Sequence, residues 1–303
     1  MPGSASLFAV AAAARTQVLR GPESQPWELW RRTPLPALRG LVAGLWAGRS
    51  IAPGARHRLL PNGELWLMFH LGPGQRLVER DGTPCAENMH LGFLGGMQER
   101  PFTMEAGEPD TRVVTLRLLP LGAARLLGGV PLAELTGRVL DPGDVFEKSA
   151  GIASLRQQIK DARDLGAALD VLEAWLLARL RRAPAPNAVA RAASLALWAR
   201  AGRVRVDEIA RETGYSPRRL SELFQVEVGV SPKRYARILR FRHALERLAA
   251  AEPDTDLAGA AHDCGYFDQA HLYRDFRELA RLTPREYQRV SDPHGDGPDV
   301  VPG

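Results

Sequence analysis

The sequence predicts an α+β amino-terminal domain, a small antiparallel β barrel or sandwich followed by helices, joined to an all-α carboxy-terminal domain with two helix-turn-helix units on one long helix. Three observations carry this expectation. Up to Leu119, short apolar runs recur at spacings near ten residues between Gly, Pro and Asn clusters, as antiparallel strands do. Beyond Pro120, leucines fall three and four positions apart, which is the helical period. In the last hundred or so residues one pattern occurs twice: Leu220, Phe224, Val230, Ser231, Pro232, Tyr235 and Arg237 recur 52 positions later as Leu272, Phe276, Leu282, Thr283, Pro284, Tyr287 and Arg289.

Residues 1–33, including Gly21 to Pro26, show no clear periodicity and read as a disordered or loosely packed arm. The apolar run Leu7 to Ala14 has eight residues and no basic stretch before it, so neither a signal peptide nor a membrane span is expected, and the location is read as cytoplasmic. Residues 34–182 form the expected α+β domain. Its strands include Leu65 to Leu71, between Asn62-Gly63 and Gly72-Pro73-Gly74, and Thr111 to Leu119, which is rich in β-branched residues. Short helices follow at Leu121 to Leu127 and Leu132 to Leu135. Longer ones carry Ile152, Leu155 and Ile159, then Leu165, Leu169, Leu172, Leu176 and Leu180. Residues 183–187, within the run Arg181-Arg182-Ala183-Pro184-Ala185-Pro186, break the pattern as a linker, after which Asn187 can cap a helix to about Arg200. The reader domain spans 188–290, and the polar residues 291–303 read as a disordered tail.

Within the reader, Val206 to Thr213 is a support helix, Gly214-Tyr215 a turn, and Ser216-Pro217 a cap followed by proline at the first helical position. With Leu220, Leu223 and Phe224 facing inward, Arg218, Arg219, Ser221, Glu222 and Gln225 become candidates to enter the major groove. Arginine suits guanine there, and Gln or Glu suits adenine or cytosine. In the second copy Asp268 is the cap and Leu272 and Phe276 the buried pair, leaving Gln269, Ala270, Tyr273 and Arg274 outward and Arg277 one turn on. The helix between the copies, capped by Ser231 and opened by Pro232, carries Lys233, Arg234, Arg237, Arg240 and Arg242, a basic face suited to phosphates. Residues 204–250 hold ten Arg/Lys against six Asp/Glu, a balance of +4; residues 251–290 hold five against eight, a balance of −3. The first unit should therefore supply most of the electrostatic attraction, with the second tuning preference or meeting RNA polymerase. The net charge of +5 is compatible with a polyanionic partner.

Residues 188–290 resemble the AraC/XylS family of bacterial transcription regulators. The resemblance is carried by Gly214-Tyr215-Ser216-Pro217, Leu220, Phe224, Gly229-Val230-Ser231-Pro232, Tyr235, Arg240 and Ala244-Leu245. It continues through Cys264-Gly265-Tyr266-Phe267-Asp268, Leu272, Arg274, Phe276, Thr283-Pro284 and Tyr287. It implies two helix-turn-helix units joined by a long helix, with double-stranded DNA as partner. Two positions depart from the family pattern. Arg281 stands where glycine is usual, so a left-handed turn there would cost about 1 to 2 kcal/mol, and Ala260 stands where a larger aliphatic residue is usual. Residues 36 to about 182 also resemble the uncharacterised domain preceding the reader in one branch of this family, through Leu60-Pro61-Asn62-Gly63, Gly95-Gly96-Met97-Gln98 with Arg100-Pro101, and Leu119-Pro120-Leu121-Gly122-Ala123. That resemblance implies a sensing or dimerising module, with a small-molecule effector and a homodimer as the partners it admits.

No catalytic residue, metal site or cofactor is expected. The sequence has no glycine-rich phosphate loop and no Gly-x-Ser-x-Gly elbow. The alternative is a metal-dependent enzyme built on His57, His70 and His90, the three histidines of the strand region, but these lack paired Asp or Glu at ligand spacing. Trp46, Trp66 and Phe69 read as core. Cys85 and Cys264, far apart, exclude a disulfide framework and read as reduced buried thiols. A DNA-repair alkyltransferase, which shares this type of reader, would need clustered cysteines that the chain lacks.

Overall fold

The computed structural model of the protein describes residues 15–20, 27–50, 56–72, 75–78, 92–106, 111–146, 151–252, 255–291 and 298–302. Strands β1 (Thr16–Arg20), β2 (Trp27–Arg32), β3 (Val42–Ser50), β4 (Arg56–Leu59), β5 (Leu65–His70), β6 (Gln75–Val78), β7 (Gly92–Gly95), β8 (Phe102–Ala106), β9 (Thr111–Leu118), β10 (Val139–Leu140) and β11 (Val300–Pro302) form two antiparallel sheets. One runs β1-β2-β3-β9-β5-β7-β10 and the other β11-β4-β8-β6. The interior strand β5, between β9 and β7, explains the layering. Alternate residues point to opposite faces: Trp66 and Met68 join Leu59, Leu77, Phe93 and Met104 in a core shared by both sheets. Leu65, Leu67 and Phe69 join Leu45, Val114 and Leu116 in a second core against the helices. A strand buried on both faces reads as a continuous apolar run, as Leu65 to Leu71 does.

The helices are α1 (Pro120–Leu127), α2 (Pro142–Phe146), α3 (Ile152–Lys160), α4 (Leu165–Arg182), α5 (Ala188–Ala199), α6 (Val206–Thr213), α7 (Pro217–Glu227), α8 (Pro232–Ala249), α9 (Leu257–Asp263), α10 (Gln269–Leu279) and α11 (Pro284–Val290). Leu132–Leu135 is a 3-10 turn. Asp164 caps α4, accepting from the backbone N–H of Ala167 at 2.7 Å. Leu169, Leu172 and Leu176 of α4 then pack on the sheet. Asn187 accepts from Val189 N and Ala190 N at 2.9 and 3.2 Å and so starts α5, as its position after the Pro-rich break predicts.

Two expectations change. The arm expected over 1–33 contributes β1 and β2 to the larger sheet, with Arg32 buried and its guanidinium 2.5 Å from Asp170, while Arg15 reaches Glu173 at 2.9 Å. These strands are held by pairing to one another and to the next strand, β3, and by carboxylates of α4, which lie 138 and 158 positions away. Residues 1–14 and 21–26 of that arm lie outside the described residues. In the expected tail 291–303, residues 298–302 return to the β-rich part: β11 pairs with β4, matching Val300 to Leu59. Residues 292–297 and 303 lie outside the described residues.

That return is fixed by a buried charge cluster. Arg117 on β9 donates through Nε to Glu64 and through Nη2 to Asp299 at 2.7 Å, and Asn62 Nδ2 donates to Asp299 at 2.6 Å. The guanidinium is 4.2 Å from the Trp46 ring centroid and 4.5 Å from that of Trp66, so these indoles hold a cation as well as filling core. Burial pushes the Glu64 carboxyl above its ordinary range, against the pull of Arg117 and Arg242. Val301 is buried with Leu60, Phe241 and Leu245, and the Tyr287 hydroxyl donates to Pro298 O at 2.7 Å.

Candidate nucleic-acid interface

Each reading helix begins at a side-chain cap. Ser216 Oγ accepts from Arg219 N at 3.2 Å to start α7, and Asp268 Oδ1 accepts from His271 N at 2.7 Å to start α10. Prolines at the first turns of α7, α8 and α11 pre-set φ where no amide partner is needed. Leu220 and Phe224 of α7 are buried, Phe224 lying edge-on to Tyr235 of α8 at 6.3 Å. Phe276 of α10 lies edge-on to Phe241 of α8 at 5.1 Å and to Tyr287 of α11 at 5.7 Å. Both units are thus clamped to the same helix through aromatic pairs.

The outward face of α7 is largely as the sequence predicts. Arg218, Arg219, Glu222 and Gln225 are exposed, and Ser221 is half-buried. Glu222 accepts from Arg219 at 3.0 Å and from Arg218 at 3.4 Å, which holds its carboxyl below the usual range. On α10, Gln269, Arg274 and Arg277 are exposed, while Tyr273 is half-buried and packs against the second unit's core.

The basic face of α8 is shorter than its sequence suggests. Lys233 and Arg234 are exposed at its first turn, Arg234 lying 3.3 Å from Glu99 of the β-rich part. Arg237 turns inward, donating to buried Asp275 of α10 at 2.8 Å and to Glu278. Arg242 lies over the Trp198 ring at 4.2 Å, and Arg240 is 5.9 Å from the Tyr266 ring centroid. These arginines brace the reader, a use that sequence reasoning missed because the partners named lie 26 to 44 positions away. The acid at position 275, one residue before the buried Phe276, was the available signal.

Gly229, between α7 and α8, has φ +96°, and its carbonyl accepts from Thr136 Oγ1 at 2.8 Å. A Cβ there would lie 2.9 Å from Thr136 Oγ1 and 3.0 Å from Leu132 O. Arg281 stands 52 positions later and takes φ +59°, the left-handed turn expected of the glycine it replaces. Ala260 lines a surface pocket of about 410 Å³ between α8 and α9, together with His243, Arg247 and Leu248.

The metal alternative finds no cluster. Among the described residues no three His, Cys, Asp or Glu side chains come together as a metal site requires. His70 is buried, and His57 lies on β4, in the other sheet. His90 and Cys85 lie outside the described residues. Cys264 is a buried free thiol. No described helix is long and apolar enough to cross a membrane.

Two capped reading helices held on one long helix define a double helix-turn-helix DNA-binding fold following an antiparallel β domain. Residues 209–290 match the family described as "Helix-turn-helix domain", of AraC type, and residues 31–141 match the family described as "Domain of unknown function (DUF6597)". The chain is 32% identical over 84 residues to the uncharacterized HTH-type transcriptional regulator YtdP of Bacillus subtilis, covering 28% of this chain and 11% of that protein. It is 32% identical over 89 residues to the HTH-type transcriptional regulator Rv1931c of Mycobacterium tuberculosis, covering 29% and 34%. The match therefore spans only about a tenth to a third of the length of these relatives. Among solved structures, ToxT from Vibrio cholerae aligns over 78% of this chain and 95% of its own, with TM-score 0.45 and 10% identity.

Proposed function

We propose that this chain is a cytoplasmic transcription regulator that reads two successive major grooves of double-stranded DNA through α7 and α10. The carrying observation is the pair of exposed reading faces, Arg218, Arg219, Glu222 and Gln225 on one and Gln269, Arg274 and Arg277 on the other, both clamped to α8. Helices presented in this way reach grooves about 34 Å apart on one side of a duplex. Ser221, Lys233 and Arg234 serve at the margin of the first site, Lys233 and Arg234 as phosphate contacts. Tyr273 serves at the second site, and Arg237 acts by holding α10 in place.

Residues 34–182 act as the effector-sensing or dimerising part and 188–290 as the reader. Contact of Leu132 and Thr136 with Gly229 supports a direct route between them, since a shift of that turn moves the start of α8. Contacts with RNA polymerase fall to the less basic second unit.

Arg218→Ala tests the reading. It should weaken binding to a selected operator by about 1 to 3 kcal/mol and relax preference at one base pair, with little change on random DNA. Equal loss on both would make Arg218 a phosphate contact only, and absence of any sequence preference in the unaltered chain would refute the regulator reading.

A further inference from the structure

The two units differ by one residue in their turns. Ala210 and Gly214 precede Ala261 and Gly265 by 51 positions, whereas the caps Ser216 and Asp268, and Leu220 and Leu272 behind them, are 52 apart. The added residue lies between Gly265 and Asp268. In the first unit Tyr215 alone fills the turn, 37% exposed. In the second, Tyr266 turns inward at 2% exposure, with its ring 5.1 Å from that of His271, and the extra residue, Phe267, is 91% exposed. The other exposed large apolar residues among those described lie between 37% and 49%. Partial exposure of that kind is ordinary, whereas a phenylalanine left almost wholly in water calls for a partner.

Its place says what that partner is. Phe267 immediately precedes the cap of α10, and the leading residues of a reading helix are those that meet base edges. Asp268, next to it, is exposed but spends its carboxylate on the cap of α10, accepting from His271 N at 2.7 Å; Gln269 and Ala270 follow, so beyond the cap the leading edge of α10 presents a ring, an amide and a methyl group, with no arginine or lysine before Arg274. The leading edge of α7 instead presents Arg218 and Arg219. In the major groove the 5-methyl of thymine is the apolar group, met by Phe or Ala, and Gln pairs with the adenine edge, while Arg pairs with guanine.

We propose that the second unit reads an A·T step, Phe267 and Ala270 packing on thymine methyl groups and Gln269 bonding an adenine, while the first unit reads a guanine-containing step. This rests on the regulator reading above and specifies the chemistry of its second half-site.

The test selects binding duplexes from a random pool with the full chain, then replaces thymines of the second half-site by deoxyuridine, which removes only the methyl group. The selected motif should be bipartite, with guanine in one half and A·T pairs in the other. Deoxyuridine at the contacted step should weaken binding about fourfold, the worth of one buried methyl. Phe267→Ala should weaken binding to thymine DNA at least as much, lose no more on deoxyuridine DNA, and recover in Phe267→Leu. A second half-site of G·C pairs, additive losses from Phe267→Ala and deoxyuridine, or unchanged binding and motif in Phe267→Ala would overturn the inference. The last outcome would assign the ring to a protein partner. Selection of no motif at all would overturn the regulator reading as well.

Discussion

At the end of β5 the side chain of His70 is 1% exposed, its ring edge-on to Phe93 at 5.6 Å, and neither ring nitrogen has a hydrogen-bond partner among the described residues. Burial, with help from the charge of Arg156 and against that of Asp141, pushes its pKa down to about 4. The unfolded chain takes up this proton near the ordinary value of 6.5, the folded chain only near 4, so stability should fall as pH drops across that window, by up to about 3 kcal/mol. His70→Leu should flatten the pH dependence of the urea midpoint between pH 6.5 and 4.5; an unchanged slope would assign the acid loss to other groups. A second comparison sets the two copies of one turn against each other. Arg281→Gly relieves a left-handed side chain and should raise stability by about 1 kcal/mol net of the entropy glycine brings to the unfolded chain. Gly229→Ala adds both a strained φ and contact with Leu132 and Thr136, and should cost at least about 2 kcal/mol. The left-handed turn at Arg281 was legible in the sequence, because glycine is usual there in the family that residues 188–290 resemble; the contact of Gly229 with Thr136 was not, since it joins residues 93 positions apart.

The starts of α5, α7, α8 and α10 were legible to the residue, since each follows an oxygen-bearing cap, with proline at the first turn of α7 and α8 and apolar residues at helical spacing behind it. Strand β11 escaped notice because a short edge strand owes its existence to a neighbour distant in sequence; β1 and β2 escaped it because Arg32, charged in the sequence, is buried through Asp170 of α4, 138 positions away. The same distinction divides the arginines of α8, identical in the sequence but not in their surroundings. Arg237→Ala should lower stability by about 2 kcal/mol, allowing for its partial exposure, because it strands the buried carboxylate of Asp275. Adding Asp275→Asn should restore part of that loss, a recovery that denaturation of the double variant would detect. If Arg237→Ala left stability intact and only weakened DNA binding, Arg237 would be a phosphate contact after all.

For the molecule as a whole, the Pro-rich break at 183–187 does not divide the core. Leu132 and Leu135 share one apolar cluster with Leu220, Phe224, Val230, Tyr235 and Leu239, and Leu60 joins Phe241 and Val301 in another. Composition and periodicity cannot show this, since an apolar residue at a helical position is equally consistent with burial inside its own domain or against the next. A chain ended at residue 291 should lose at least about 2 kcal/mol, because burial of Val301 alone is worth about 1.5 kcal/mol and Arg117 forfeits Asp299 as well. Its linker should also become more readily cut in limited proteolysis. Equal stability and equal cutting would mean that β11 adds nothing to the join.

The pairing of Val300 with Leu59 sets a clock on synthesis. At about 5 to 20 residues per second, the strand that closes the smaller sheet is made roughly 12 to 48 seconds after the one it pairs with. From the time Arg117 is made, roughly 3 to 12 seconds into that interval, until β11 arrives, Glu64 is the one carboxylate of its pair that it can meet, and the edge of β4 is open. The part of the protein translated first is therefore finished last, and a nascent chain passes through a stage in which an unpaired strand can meet those of neighbouring chains.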